Sequence, residues 1–221
     1  MNPYSHLAIA AQLEANIRPA NREEYYWGAL APDVRYSAGT RRAQTHLRPE
    51  EVAGFFEKYA ELESFIQGYL VHTITDLLSF RALLRQRILL WPILLIVSGR
   101  FSTVLLETYY IEKMPLRIEF SGTPNPILRD LRIADEHVYT FAGALRPFAA
   151  APFFETALGF LRALRRNSAR VEKYAQAARF IERHRSLKSL LFALAGMDKL
   201  NRQMLAALRN DEILKQTVLK F

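Results

Sequence analysis

The sequence contains no cysteine among its 221 residues. This absence excludes a disulfide-bonded scaffold and every thiolate metal site, so any metal must be held by histidines and carboxylates. Glycine and proline together contribute only 19 residues, which excludes collagen-like and low-complexity chains. No segment shows sustained strand-type alternation, whereas helical patterns run through the whole chain. We therefore predict an all-α protein with a single domain over residues 1–221.

The chain also lacks an apolar run of the roughly 20 residues that a membrane-spanning helix needs. Its most apolar run, Ile88 to Val97, is interrupted by Pro92 and predicts a buried helix pair with a break at the proline. An interfacial membrane anchor is the alternative interpretation. The N-terminus has neither the basic stretch nor the long apolar stretch of a signal peptide, so we expect a cytoplasmic protein.

Positive charge is unevenly distributed along the chain. Residues 1–110 contain 11 basic and 11 acidic residues, whereas residues 111–221 contain 19 basic and 11 acidic residues, which accounts for the net charge of +8. The basic second half can face phosphate groups of an anionic membrane surface or of nucleic acid. The alternative is a set of solvated helix faces.

Helix start signals divide the chain into predicted elements. Asn2-Pro3, Asn21 followed by two glutamates, and Pro49-Glu50-Glu51 each predict the first turn of a helix. The stretch from Gly28 to His46 is irregular and predicts a long loop, which in a compact domain is usually functional. Further helices are predicted over 62–78, 127–145, 152–166, 168–184 and 198–216, the last capped by Asp198, with a connector from Met114 to Pro126.

Three of the five histidines have neighbours that suit a metal site. His72 and Asp76 are four residues apart on a predicted helix, so both side chains lie on one face, among apolar residues. A buried imidazole and carboxylate need a partner, and either a metal ion or a simple hydrogen bond between the two satisfies that need. Three further residues complete a set of three imidazoles and two carboxylates: Asp33 in an Ala-Pro-Asp turn, His46, and His6, which we expect to face inward. This set suits Zn²⁺ or a similar divalent metal, and it can hold two ions if one carboxylate bridges them.

The order of these motifs resembles the zinc-dependent phospholipase C family, which is related to the zinc-dependent single-strand nucleases. The resemblance covers residues 1 to about 80: a His on the first helix, a G-x-x-x-P-D turn ending at Asp33, a T-H pair at His46, and a G-Y-x-x-H-x-x-x-D helix. It implies an all-α fold in which Asp33, His46 and His72 hold one zinc ion, and Asp76 bridges it to a second ion bound by His6. It also implies that Asp33 and Asp76 are the catalytic carboxylates in phosphodiester hydrolysis.

Two family positions differ in this chain. Family members with three metals have a histidine six residues after the bridging aspartate, where this chain has Ala82. The family's H-x-x-x-E pair corresponds here to Thr103 and Glu107, so the acid is kept and the imidazole is lost. We therefore expect a dinuclear or mononuclear site. Glu107 is a candidate metal ligand, and the alternative is a buried acid that accepts a tyrosine hydroxyl or pairs with an arginine.

The expected activity is hydrolysis of a phospholipid or another small phosphodiester by one or two Zn²⁺ ions. Single-strand nuclease activity, with nucleic acid as a less favoured partner, is one alternative. A non-catalytic helical protein that keeps a metal for stability or docking is the other. His137 and His184 are interpreted as structural or solvent-facing.

Overall fold

The computed structural model describes residues 3–78, 101–114, 116–150, 154–164, 171–172, 175–176, 179–180, 183–194 and 196–218. Within these ranges the chain is helical without a strand, so the all-α prediction is confirmed. The helices with described bounds are, in chain order, α1 (Pro3–Ile17), α2 (Arg22–Leu30), α3 (Arg35–Ala38), α4 (Arg42–Thr45), α5 (Pro49–Ala53), α6 (Phe55–Lys58), α7 (63–78), α8 (Phe101–Lys113), α9 (Pro126–Asp130), α10 (Asp135–Ala150), α11 (Phe154–Ala163), α12 (Arg185–Leu194), α13 (Met197–Asn210) and α14 (Glu212–Val218), with 3₁₀ turns at Ala31–Val34 and Ala60–Leu62.

Helix α1 lies at the centre of the protein. It packs against α2, α8 and α13, and its residues from Pro3 to Ala10 are all buried. The contact with α13 includes a hydrogen bond from the Asn201 amide to Gln12 at 2.9 Å. Because α13 belongs to the basic half of the sequence and α1 to the neutral half, the two halves share one core and form a single helical domain.

Helices α2 and α7 cross in backbone contact at two glycines. A Cβ atom added to Gly28 would lie 1.9 Å from the carbonyl oxygen of Phe65, and one added to Gly68 would lie 1.9 Å from that of Tyr25. No residue with a Cβ fits at either position without separating the helices. This close approach places the end of α2, and Asp33 just beyond it, beside the ligand-bearing face of α7.

Several predicted boundaries are confirmed. The Asn21 side chain caps α2 by accepting a hydrogen bond from the backbone N–H of Glu24 at 3.2 Å. A helix begins at Pro49, and α7 covers the predicted 62–78 except for its first residue. Pro3 is helical, while Asn2, its predicted cap, lies outside the described residues. The described residues of the Met114 to Pro126 connector have no regular structure until α9 begins at Pro126.

The predicted helix over 127–145 is wrong because it is two helices. Arg132 adopts a left-handed conformation with φ of 59°, and its N–H donates to the carbonyl of Arg129 at 2.8 Å, which ends α9. Asp135 then starts α10, which continues through Pro147 to Ala150. A left-handed arginine has no sequence signature, since glycine or asparagine usually takes this position.

The predicted helix over 198–216 is also two helices, and its predicted cap is wrong. The residue before α13 is the left-handed Gly196, while the Asp198 carboxylate accepts a hydrogen bond from the Tyr109 hydroxyl at 2.6 Å. Asp211 is extended, and its side chain caps α14 by accepting from the N–H of Leu214 at 3.0 Å. The helix α12 was not predicted at all.

The long loop predicted from Gly28 to His46 is mostly helical. Its first residues complete α2, and the 3₁₀ turn, α3 and α4 follow, with a left-handed Gly39 between the last two. Each piece is about one turn long, which is too short to create the apolar periodicity from which helices are predicted. The stretch is therefore a series of short helical turns.

Among the described residues, the helices are all too short or too polar to cross a lipid bilayer. The apolar run from Ile88 to Val97 lies outside the described residues, as does Ala82.

Candidate metal centre

The five predicted ligands come together in the structure, although they lie on four separate elements. His6 comes from α1, Asp33 from the 3₁₀ turn after α2, His46 from the residue that follows α4, and His72 and Asp76 from α7. His6, Asp33 and His72 are each at most 1% exposed. Two overlapping groups have ligand atoms within 4.8 Å of one another: His6, Asp33 and His72, and His46, His72 and Asp76.

The Asp76 carboxylate lies between the three imidazoles. Its Oδ1 is 3.3 Å from Nε2 of His6, and its Oδ2 is 3.3 Å from Nε2 of His46. Nε2 of His72, one helical turn earlier, is 3.8 Å from Oδ2. That separation is too long for a hydrogen bond, so the simple His72–Asp76 hydrogen bond does not form.

Backbone and hydroxyl groups orient two of the imidazoles toward the cluster. Nδ1 of His72 lies 2.7 Å from the carbonyl oxygen of Ala29. Because a carbonyl only accepts, Nδ1 carries the proton, and the lone pair of His72 is on Nε2, which faces the other ligands. Nδ1 of His46 lies 3.2 Å from the hydroxyl of the fully buried Thr45. Hydrogen bonds of this kind hold metal-binding histidines in the correct tautomer.

The spacing of the ligand atoms fits a tetrahedral metal ion. With Zn–N distances of roughly 2.0–2.1 Å, neighbouring ligand atoms in a tetrahedral site are about 3.4 Å apart. Nε2 of His46 is 3.3 Å from Nε2 of His72 and 3.3 Å from Oδ2 of Asp76. Oδ1 of Asp33 is 3.8 Å from the same His46 nitrogen, which makes it a candidate fourth ligand atom, although Asp33 belongs to the group with His6 and His72. Imidazole and carboxylate are donors that Zn²⁺ accepts.

Three buried polar atoms of the cluster have no hydrogen-bond partner. They are both ring nitrogens of His6 and Oδ2 of Asp33. The His6 nitrogen near Asp76 is close enough for an ion pair but is not directed for a hydrogen bond. Leaving a buried polar group unpaired costs about 1–3 kcal/mol. A divalent cation removes this cost for several ligands at once, so the residues present fit a metal ion.

The electrostatic environment of the cluster favours the protonation states that bind metal, which are neutral imidazole and ionised carboxylate. Burial lowers the pKa of His72 well below its usual range, and the neighbouring His6 adds to this effect, so His72 is neutral at pH 7. Burial also lowers the pKa of His6, against the opposing charge of Asp76. Burial raises the pKa of the Asp76 carboxyl, but His6 and His46 outweigh it and hold that pKa well below its usual range.

Glu107 lies on α8 and binds the first turn of α1. Its Oε1 accepts a hydrogen bond from the N–H of Tyr4 at 3.3 Å, and its Oε2 accepts from the N–H and hydroxyl of Ser5 at 3.2 and 2.6 Å. Burial raises the pKa of Glu107 to about 7. Neither metal-ligand group found in the described residues includes Glu107. Its partners here are a serine and backbone N–H groups rather than the expected tyrosine or arginine, and it fixes the start of the helix that carries His6.

Several residues that position the site were not predicted from the sequence. The main-chain carbonyl of Ala29 orients His72, and Gly28 and Gly68 allow the helix crossing that brings this carbonyl within reach. Arg42 contacts Oδ2 of Asp76 through Nη2. Arg42 lies four residues before His46, and this helical spacing was the sequence signal that could have placed the arginine beside the cluster.

The two remaining histidines lie elsewhere. His137 is on α10, where its carbonyl accepts a hydrogen bond from the Ser37 hydroxyl at 2.8 Å, and the exposed His184 bonds the carbonyl of Phe180 at 2.9 Å. Neither belongs to a metal-ligand group among the described residues.

No protein-family model matches this sequence, and no curated protein or solved structure matches it either.

Proposed function

We propose that this protein is a metal-dependent phosphodiester hydrolase similar to the zinc-dependent phospholipases C, with one or two Zn²⁺ ions. The observation that carries the proposal is the convergence of His6, Asp33, His46, His72 and Asp76, with unpaired buried atoms and tetrahedral spacing. The motif order along residues 1 to 80, which resembles that family, supports phosphodiester chemistry in particular.

Asp33, His46, His72 and Asp76 are the residues that would hold the first ion, and His6 with the second oxygen of Asp76 would hold another. A bound divalent ion supplies a lowered pKa for water and neutralises charge on phosphoryl oxygens. Because Nδ1 of His72 is engaged by Ala29, His72 offers one ligand atom and serves only one ion. Each of the two groups has three candidate ligands, and His72 serves only one of them at a time.

The two carboxylates have different roles in the proposed reaction. Asp33 has an unpaired oxygen, Oδ2, which is an acceptor for a proton of the attacking water. Asp76 remains ionised and sits between the imidazoles, where it fixes their relative positions. The proposed substrate is a phospholipid or another small phosphodiester, and the positive charge of residues 111–221 favours an anionic surface or headgroup.

The first test is the metal content of the purified protein. Elemental analysis is expected to find one or two zinc ions per chain in the wild type and fewer in His72→Ala. His184→Ala is the matched control because His184 is exposed and lies outside the cluster. A wild-type chain that neither contains nor takes up a divalent metal would overturn the proposal.

The second test is hydrolysis of bis(4-nitrophenyl) phosphate and of a phosphatidylcholine vesicle by the zinc-loaded protein. We expect turnover that a chelator removes and that His72→Ala lacks. Full metal occupancy without turnover of any phosphodiester would instead establish a non-catalytic metal-binding protein. Preferential cleavage of single-stranded DNA, with binding that falls steeply as salt rises, would establish the nuclease alternative.

A further inference from the structure

Arg42 is the most exposed of the charged side chains that contact the cluster. Its Nη2 contacts Oδ2 of Asp76, yet its side chain is 52% exposed, against 8% for Asp76 and 6% for His46. Arg42 therefore lies at the solvent-exposed edge of the buried ligand cluster.

The position of Arg42 is fixed relative to the ligands. Arg42 begins α4, and His46 follows the last residue of that helix, with its backbone N–H donating to the carbonyl of Arg42 at 2.8 Å. One helical turn thus joins the arginine to a proposed ligand. A guanidinium has five N–H donors in a planar fork, of which the Asp76 contact engages Nη2.

The charges of the cluster balance only while it holds no divalent ion. Asp33 and Asp76 contribute two negative charges, and Arg42 together with Arg35, whose Nε is 3.9 Å from Asp33, contributes two positive charges. Imidazoles bind a metal ion in their neutral form and add no charge. One divalent ion therefore leaves two surplus positive charges in a largely buried site, where an anion stabilises them strongly.

The two arginines differ in their access to an anion. The Arg35 side chain is 17% exposed, and its guanidinium stacks on the Tyr36 ring at 3.9 Å from the centroid. Arg42 is three times as exposed and is adjacent to the carboxylate at the centre of the cluster. The alternative role for Arg42 is a plain ion pair with Asp76.

We propose that Arg42 binds an anionic oxygen of the substrate beside the metal ligands, so that the site selects esters with a negatively charged phosphoryl group over neutral esters. This inference rests on the proposed metal-dependent function. An arginine fork suits a phosphoryl group because two of its N–H donors match two phosphoryl oxygens.

The test measures binding of inorganic phosphate to the zinc-loaded protein by isothermal titration calorimetry. Three variants are compared with the wild type: Arg42→Gln, Arg42→Lys and the matched control Arg41→Gln, which removes the same charge from the exposed neighbouring residue. Zinc content is measured for each, and phosphate affinity is compared at equal zinc occupancy.

We expect Arg42→Gln to weaken phosphate binding at least tenfold, Arg42→Lys to weaken it less, and Arg41→Gln to change it by no more than twofold. In kinetics, Arg42→Gln is expected to lower kcat/KM for the anionic bis(4-nitrophenyl) phosphate tenfold or more, mainly through KM. Its preference for this anionic diester over a neutral phosphotriester, taken as a ratio of kcat/KM values, is expected to fall tenfold or more.

Two outcomes separate this inference from the proposed function. Phosphate binding that depends on Arg42 without hydrolysis of any phosphodiester would support the inference and overturn the enzymatic function. Zinc-loaded Arg42→Gln that binds phosphate as tightly as the wild type would overturn the inference, even if the protein hydrolyses phosphodiesters. If Arg42→Gln does not fold, Arg42→Lys decides, since wild-type phosphate affinity in that variant also contradicts an arginine fork.

Discussion

Replacing Gly68 by alanine is expected to separate helices α2 and α7 and to disturb the proposed metal site. The new Cβ would lie 1.9 Å from the carbonyl oxygen of Tyr25 and 2.8 Å from the backbone nitrogen of Ala29, whereas ordinary contact begins at 3.4 Å. Both neighbours are backbone atoms of α2, which no side-chain rotation can relieve. The two helices must therefore move apart by about 1.5 Å at this point.

The expected cost follows from three contributions. Overpacking a tight core contact costs typically about 1–3 kcal/mol, and a clash with backbone falls at the upper end of that range. Moving α2 also weakens the hydrogen bond between His72 and the carbonyl of Ala29, at about 1 kcal/mol. Alanine recovers about 1 kcal/mol because its helix propensity exceeds that of glycine. The net expectation is a loss of about 3 kcal/mol in the free energy of unfolding.

Thermal and urea unfolding followed by circular dichroism measure this loss. For a chain of this size the melting temperature shifts by roughly 2–4 °C per kcal/mol, so Gly68→Ala is expected to melt about 6–12 °C below the wild type. Gly143→Ala is the matched control: Gly143 lies in α10 with nothing within 4 Å of the added Cβ. It is expected to gain about 0.5–1 kcal/mol from helix propensity.

The zinc affinity of Gly68→Ala is the second readout. Without the carbonyl of Ala29, the proton of His72 is no longer held on Nδ1, and Nε2 is no longer directed into the cluster. Loss of such a supporting hydrogen bond typically lowers metal affinity about 10–100-fold. A Gly68→Ala protein that melts within 1 °C of the wild type, as a rough experimental margin, and binds zinc equally well would refute this account of the helix crossing.

Three further predictions concern stability. A free zinc concentration about 100-fold above the dissociation constant is expected to stabilise the protein by about 2.7 kcal/mol. If zinc raises the melting temperature of His72→Ala as much as that of the wild type, zinc does not bind at the cluster. The pKa of Glu107 is raised from 4.5 to about 7, so the native state binds its proton more tightly than the unfolded state. Glu107 therefore stabilises the protein fully below pH 4.5, and this contribution is lost as pH rises through about 7. Urea unfolding of Glu107→Gln at several pH values should lack this pH-dependent contribution, and an unchanged pH dependence would contradict it. Asn125→Ala is expected to cost about 1 kcal/mol in urea unfolding, because the Asn125 side chain caps α9 by accepting from the N–H of Leu128 at 3.0 Å, and a cost near zero would show that this cap is dispensable.

Local features of the fold were predictable where one residue and its near neighbours decide the outcome. Asn21 and Pro49 mark helix starts because capping and proline geometry act within a single turn. The end of α9 was missed because Arg132 adopts a left-handed conformation through its surroundings rather than its own preference. The one-turn helices between residues 31 and 45 were missed because they are too short to show periodicity.

The candidate site likewise has features that the sequence predicts and features that depend on the packing of the whole chain. The residue types alone indicated which side chains are suited to hold a metal, since the absence of cysteine leaves imidazole and carboxylate. The spacing of His72 and Asp76 also placed both on one helical face. The order of the motifs predicted that His6, Asp33 and His46 join them, and the folded chain brings all five together. The contact of Glu107 with the start of α1 and the position of Arg42 at the exposed edge became visible in the folded chain alone. These contacts join elements that are distant along the chain, so they depend on how the helices pack. The approach of α2 to α7, for example, is set by backbone packing at Gly28 and Gly68, which residue spacing along the chain does not encode.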